Sequence, residues 1–329
     1  LSSGPEYVPG IYSPPPDLLA PARVPARYGG RYISHVRSED RHFWAAIDEL
    51  IAIGRRAGLP VQLSHAKLAM RSVWGQADSL IGVLDRARRS GVNVTLDIYP
   101  YTYWQSTLTV LFPERNFQDT AAARFALTEV TTPDSAILGA FERDTTLEGK
   151  SIAQVAALRQ KDPAVTLMDL IAEAGKPKPD GGSYDESVVA VSMVQPDIER
   201  LWRWPYANVC SDGALHGAHP RGFGAFPRFY RMAVRERHVL SLEEAVRRTT
   251  SLAAANVGIT NRGRIATGFF ADLVLLDTAS LSDRATPQEP HLLATGVRAV
   301  WVNGVLVYNG AATGALPGRV IRRAARTAR

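Results

Sequence analysis

Cysteine occurs once in these 329 residues, at Cys210, which excludes an internal disulfide framework and any zinc site built from several thiolates. No apolar run approaches the roughly 18 residues of a membrane span, so no membrane partner is expected. The glycines fall into neither GxGxxG, GxSxG nor a P-loop, so dinucleotide, serine-hydrolase and nucleotide readings lack their signatures. HExxH is also absent. Acid is missing from the last stretch, Pro317 to Arg329, which carries Arg319, Arg322, Arg323, Arg326 and Arg329. Those five arginines account for most of the net charge of +6, and setting them aside leaves 33 basic against 32 acidic residues. The basic surplus is therefore read as a solvated terminus, and nucleic acid is not expected as a partner.

What is present fits an ordinary globular chain, with 46% hydrophobic and 21% charged residues. Arg31 to Ser34 reads as a short strand ending at His35, followed by an apolar helical stripe through Phe43, Ile47, Leu50, Ile51 and Gly54. Val61 to Ser64 is the next strand and ends at His65. A second stripe, Leu80, Val83, Leu84 and Ala87, stops at Gly91, and Val92 to Ile98 is again strand, ending in Tyr99-Pro100-Tyr101. Strands alternating with helices of this length predict βαβ crossovers and a parallel sheet, open or closed into a barrel.

The alternation lapses from about Leu111 to Tyr206, which reads as a lid-like insertion with helices over 150–161 and 166–175 and a strand over 187–193. Ala207 to Ser211 resumes the strand register. Ser241-Leu242-Glu243-Glu244 reads as a capping box opening a helix that runs to about Ala255. Beyond residue 265 come short strands, Ala271 to Leu276, Val297 to Asn303 and Val305 to Tyr308, the last two joined by an Asn303-Gly304 hairpin turn.

His35, His65 and Asp212 each follow a predicted strand, and the ends of parallel strands converge on one face. Two imidazoles and a carboxylate suit a divalent metal such as zinc, although a single strand-end histidine is more often a surface or satisfied polar residue than a ligand, and only the pair with Asp212 brings the two readings level. Lys67 shares a face with His65, and the guanidinium of Arg221 suits bidentate capture of a carboxylate. Tyr99 or Tyr101 could donate a phenol to a carbonyl. His216 and His219 are candidate supporting groups, whereas His42, His238 and His291 read as structural, and Cys210 as a core thiol.

The segments Ser2-Ser3-Gly4-Pro5-Glu6-Tyr7-Val8-Pro9-Gly10, Tyr32-Ile33-Ser34-His35-Val36-Arg37, Leu63-Ser64-His65-Ala66-Lys67, Asp97-Ile98-Tyr99-Pro100-Tyr101, Ser211-Asp212-Gly213 and Trp301-Val302-Asn303-Gly304 occur in that order. Together they resemble the N-acyl-D-amino-acid deacylases, or D-aminoacylases, of the amidohydrolase superfamily. That resemblance implies part of a (β/α)8 barrel, strands 4 to 8, over residues 1–265, with the insertion over about 111–206. A piece of a small β-sandwich over 266–329 would follow.

It also implies metal-dependent hydrolysis of N-acyl-D-amino acids to a carboxylate and a D-amino acid. His35 and His65 would hold zinc (one or two ions), and Asp212 would be the general base acting on metal-bound water. Tyr99 would polarise the scissile carbonyl, and Lys67, Arg221, Tyr7 and Ser106 would bind the substrate. A cytoplasmic location goes with it, and a hydantoinase- or dihydroorotase-like reaction is the neighbouring alternative. The chain starts at Leu1 and holds no His-x-His, which the superfamily carries on its first barrel strand. The expectation is therefore the C-terminal portion, about 60–65%, of a longer enzyme, incomplete for catalysis by itself.

Overall fold

The computed structural model describes residues 1–322. Arg323, Arg326 and Arg329, read above as part of a solvated tail, lie outside the described residues.

Along the chain the first strand, β1 (Ser2–Ser3), is followed by α1 (Pro15–Arg27), β2 (Tyr32–Ser34), α2 (Phe43–Ala57), β3 (Val61–Leu63), α3 (Ala77–Arg89) and β4 (Val94–Ile98). Every neighbouring pair among these strands is parallel, with Ser3 opposite Ser34, Ser34 opposite Leu63 and Leu63 opposite Leu96. The register follows from the helical crossovers, because parallel strands need a connection of about a dozen residues or more. α2 buries Phe43, Ile47, Leu50, Ile51 and Gly54, the predicted stripe, and ends at Gly58 with φ 68°. β3 and β4 are buried on both faces, as strands covered by helices are.

One helix is not marked by the apolar spacing of the sequence. α1 starts in the cluster Pro14-Pro15-Pro16, with proline in its first turn and Pro21 and Pro25 within it. Proline at a helix start forfeits only an amide that has no intrahelical acceptor. Leu19 and Ala22 are its buried residues, and it packs against α2.

The alternation ends at β5 (Tyr103–Ser106), before the expected Leu111. The chain then continues through α4 (Thr120–Phe125), β6 (Ala136–Phe141), α5 (Ile152–Arg159), α6 (Pro163–Ala174) and β7 (Glu186–Val191). These strands form a separate antiparallel sheet in the order β5-β7-β6. The boundary is hidden in the sequence because Tyr103 to Ser106 lacks the apolar alternation of a strand edge. α7 (Gln195–Trp202) already packs against α3 and β4, so the chain is back on the parallel sheet before Tyr206. Asp197 of α7 accepts from Gly75 N at 2.7 Å and Ala77 N at 3.2 Å, capping the start of α3 from a distant part of the chain.

β8 (Ala207–Val209) pairs in parallel with β4, completing a five-stranded sheet in the order β1-β2-β3-β4-β8. α8 (Arg221–Tyr230) follows. The expected helix from Ser241 to about Ala255 is two helices, α9 (Leu242–Thr249) and α10 (Ser251–Val257), broken at Thr250 with φ −130° and ψ −90°. Thr250 Oγ1 donates to Val246 O at 2.6 Å in this Thr-Thr-Ser run, where hydroxyls compete with the helical ladder. Only half of the expected capping box forms: Ser241 Oγ accepts from Glu244 N, while the Glu244 carboxylate goes to Arg247 and Arg248.

The last sheet, β9 (Leu273–Leu276), β10 (Val297–Val302) and β11 (Val305–Tyr308), is antiparallel in the order β11-β10-β9. Its Asn303-Gly304 turn has φ 50° and 82°, both positive as a type I′ hairpin requires. Among the described residues no helix is long and apolar enough to cross a membrane.

Candidate active site

The C-terminal ends of β2, β3 and β8 bring three predicted residues to one face of the parallel sheet. His35 follows β2 directly and His65 stands two residues beyond β3. Asp212 lies three residues beyond β8. They line one cleft with Glu6, Tyr7, Glu39, Lys67, Gln105, Ser106 and Arg221.

His35 Nδ1 faces His65 Nε2 at 3.1 Å. Two nitrogens on one tetrahedral zinc at about 2.0–2.1 Å stand about 3.3 Å apart, so this gap fits a pair of ligands to a single ion. The outer nitrogens are engaged as metal-bound imidazoles are. His35 Nε2 lies 2.5 Å from Glu6 Oε2, and His65 Nδ1 lies 3.1 Å from Glu39 Oε1. Lys67 Nζ contacts both Glu39 Oε1, at 2.7 Å, and His65 Nδ1, at 2.5 Å. His35, Glu39 and His65 together form a cluster that can hold a metal. Glu39 Oε1 lies 4.0 Å from His35 Nδ1 as well, so the carboxylate borders the gap that the two imidazoles face.

Backbone conformation is forced at two of these positions. His65 has φ 35° and Asp212 φ 50°, left-handed values uncommon for residues other than glycine. At His65 the cost is offset by Asp97 of β4, whose Oδ1 accepts from His65 N at 2.6 Å and whose main-chain oxygen accepts from Ala66 N at 2.8 Å. Beyond Asp212 the chain turns through Gly213, where a Cβ would meet Gly222 Cα at 2.3 Å. Glycine alone allows the loop to lie against the first turn of α8, where Arg221 begins the helix.

Arg221 Nη1 lies 2.7 Å from Asp212 Oδ2. The main chain at Arg221 is held by His219, whose Nδ1 accepts from Arg221 N at 3.0 Å while its Nε2 donates to Tyr103 O at 2.9 Å. Burial and the nearby Arg221 cation push the His219 pKa well below the ordinary value, so it is a neutral brace. Burial and Lys67 likewise lower that of His65, which keeps the imidazole neutral, the form a metal needs. Burial opposes ionisation of Glu39, but Lys67 and the two imidazoles overcome it and hold its carboxyl far below the usual range. Burial raises the Glu6 carboxyl, against its hydrogen bond to His35.

The predicted substrate-binding residues surround this pair. Tyr7 lays its ring 4.8 Å from that of His35, and burial pushes its phenol up to about 12 against a hydrogen bond with Ser106. Tyr99 lies behind the cleft, its ring centroid 5.6 Å from Lys67 Nζ and 4.9 Å from the Arg221 guanidinium, and its buried hydroxyl has no partner among the described residues. Tyr101 points elsewhere, under Arg228 at 4.6 Å. Cys210 is a half-buried residue whose thiol lies beside Asp97, with its pKa raised by desolvation. His216 is exposed on the loop, His42 pairs with Glu114, and His291 meets Gly217 O at 3.0 Å.

Glu6, Glu39, Asp97 and Gln105 are site residues that the strand-end pattern does not single out. A signal exists for three of them: Glu39 stands four residues after His35, Glu6 lies inside the segment Ser2 to Gly10, and Asp97 opens the segment Asp97 to Tyr101. Gln105 has no local signal.

The chain is 36% identical over 326 residues to the N-acyl-D-glutamate deacylase of Alcaligenes xylosoxydans xylosoxydans, covering 98% of this chain and 60% of that protein. It is 31% identical to the D-aminoacylase of the same organism, covering 99% and 61%. The crystal structure of the N-acyl-D-glutamate deacylase from Bordetella bronchiseptica, complexed with zinc and a phosphonate inhibitor, matches with a TM-score of 0.84 at 31% identity. That match covers 98% of this chain and 62% of that one. The chain thus spans about three fifths of the length of these relatives, and shares their α/β fold. A family model, "Amidohydrolase family", matches residues 117–308, and the chain belongs to that family.

Proposed function

We propose that this chain carries the strand-end face of a metal-dependent deacylase that hydrolyses N-acyl-D-amino acids to a carboxylate and a D-amino acid. The observation that carries the reading is the His35 Nδ1–His65 Nε2 gap of 3.1 Å, opening into a cleft shared with Asp212, Lys67 and Arg221. The N-acyl-D-glutamate and N-acyl-D-aspartate deacylases of Alcaligenes xylosoxydans xylosoxydans are named for this activity, and the Bordetella bronchiseptica deacylase was crystallised with zinc, which supports the same reading. The five parallel strands are then an arc of a (β/α)8 barrel over residues 1–265. The antiparallel β5-β7-β6 layer forms a lid-like insertion, and the chain from residue 266 to 322 part of a small β-sandwich.

His35 and His65 would supply two ligands to zinc, one or two ions in all. Zinc supplies Lewis acidity at a carbonyl and lowers the pKa of a water molecule. Lys67 and Arg221 are the cations for the substrate carboxylate, Arg221 by its planar fork. Tyr7 and Ser106 stand beside them. Tyr99, whose buried hydroxyl has no partner among the described residues, would donate to the carbonyl oxygen as charge develops there. Asp212 takes a proton from the attacking water and returns it to the departing nitrogen. The water oxygen bonds to the carbonyl carbon, the C–N bond breaks, and the nitrogen leaves as a neutral amine.

The test is hydrolysis of N-acyl-D- and N-acyl-L-amino acids by the whole protein loaded with zinc. Turnover confined to D substrates and lost in Asp212→Asn is expected. No turnover of any N-acyl-D-amino acid, with zinc bound, would overturn the reading.

A further inference from the structure

A neutral imidazole has one N–H and one lone pair, and only the lone pair can bind a metal. Which nitrogen offers it is decided by the partner of the other nitrogen. For His65 that partner is divided, because Glu39 Oε1 and Lys67 Nζ both approach Nδ1. For His35 it is single: Glu6 Oε2 at 2.5 Å from Nε2.

Glu6 is fixed on several sides. Its segment follows β1, whose Ser3 is paired with Ser34, the residue before His35. Arg115 Nη2 donates to the Glu6 main-chain oxygen at 2.8 Å and lies 3.6 Å from Glu6 Oε1. Arg115 is itself tied down through Nη1, which donates to Phe112 O at 2.6 Å. Both the guanidinium and the carboxylate side chains are buried, at 5% and 4% exposure. The Arg115 guanidinium, in ion-pair range of Oε1, favours the ionised carboxylate against the burial that opposes it, and an ionised carboxylate can only accept from His35, which puts the imidazole proton on Nε2.

We propose that Glu6 is a positioning residue for the metal: it holds the proton of His35 on Nε2, so that the Nδ1 lone pair points into the gap facing His65. Arg115 holds Glu6 in place for this task. The inference rests on the zinc reading above and adds to it an outer carboxylate. The role assigned to Glu6 runs through His35 and needs no direct bond to substrate or metal. It acts through the orientation and basicity of one ligand, an influence that is worth about 10–100-fold in metal affinity in such pairs.

Two measurements test it on the zinc-loaded protein. Long-range 1H–15N correlation spectra of the unsubstituted, histidine-labelled protein should show the His35 proton on Nε2. Competition with a chromophoric chelator should show Glu6→Ala binding zinc about 10–100-fold more weakly. Glu6→Gln, whose amide oxygen still accepts from Nε2–H, should stay within about threefold of the parent. A His35 proton on Nδ1, unchanged affinity in Glu6→Ala, or equal loss in both variants with the fold intact would each overturn the proposal. Should the variants fail to fold, the spectrum of the unsubstituted protein decides. Neither readout needs turnover. A protein that binds zinc through His35 Nδ1 and cleaves no N-acyl-D-amino acid would therefore sink the proposed function and leave this inference standing.

Discussion

Arg221 Nη1 lies 2.7 Å from Asp212 Oδ2, so the cation proposed for the substrate carboxylate already faces the carboxylate proposed as base. The two side chains are bound to different tasks and should separate in kinetics. Removing the cation in Arg221→Met should raise KM by about 10²-fold, the loss of a desolvated carboxylate contact, with a smaller fall in kcat. Asp212→Asn should leave KM near the parent value and lower kcat by about 10²–10⁴-fold. Steady-state kinetics on an N-acyl-D-amino acid reads both. Equal effects on KM in the two variants would show that the pair acts as one structural unit.

The approach of Gly213 to Gly222 holds that pair in register. A Cβ at Gly213 would meet backbone atoms, Gly222 Cα at 2.3 Å and N at 2.7 Å, and no side-chain rotation relieves such a clash. Gly213→Ala is therefore expected to push the Asp212 loop off the start of α8. The expected cost is about 1–3 kcal/mol of stability, together with a fall in kcat. Thermal unfolding and turnover measured on the same preparation check it, and full activity with an unchanged Tm would show that the loop moves freely.

Zinc affinity tests the ligand assignment itself. His35→Ala and His65→Ala each remove one inward nitrogen of the 3.1 Å pair. Each should weaken zinc binding by more than the about 10–100-fold that loss of an outer hydrogen bond costs. Chelator competition measures it. Unchanged affinity in both variants would place the metal elsewhere.

The parts of this site that are legible in the sequence are those written into local pattern. Apolar runs of three to five residues mark the strands, and a strand read correctly places the residue at its end, so the pattern alone sets His35 and His65 on one face. The Asn303-Gly304 hairpin is legible for a similar reason, since few dipeptides take two positive φ values. Helix α1 is not, because prolines that end most helices here begin one. The break at Thr250 is not either, because hydroxyl competition with the backbone leaves the apolar spacing intact. Glu6 and Asp97 act across sequence separations of about thirty residues, on partners that only the strand register brings beside them. Pairings of that kind belong to the fold, and no local pattern encodes them.

Asp197 caps α3 from α7, with its carboxylate accepting from Gly75 N and Ala77 N, while the side chain at the local cap position, Gln76, donates back to Ser72 O and does not cap the helix. Asp197 is buried, and Asp197→Ala would strand two amides at the start of the helix. A loss of about 1–2 kcal/mol follows from the missing cap, more if water cannot reach the amides. Asp197→Asn, which keeps an acceptor oxygen, should recover part of it. Urea unfolding of the three proteins would show the order, and equal midpoints for all of them would mean that the amides find other partners.

Glu186, at the start of β7, lines the mouth of the same cleft and makes stability depend on pH in a direction opposite to most carboxylates. Burial pushes its pKa up to about 7, against the hydrogen bond its Oε2 accepts from Leu108 N at 2.7 Å, and nearby Asp185 adds to the rise. Between the ordinary value near 4.5 and about 7 the folded chain therefore holds a proton that the unfolded chain has released. Stability from this group is complete below about pH 4.5 and is lost as pH rises through about 7. Glu186→Gln keeps an acceptor for Leu108 N and never ionises, so it removes that loss. The variant should be the more stable protein at pH 8 by about 1–3 kcal/mol, after allowance for partial solvent screening. The difference should vanish near pH 4.5. Thermal midpoints of both proteins across pH 4.5–8 measure it, and parallel curves would show that Glu186 stays ionised throughout.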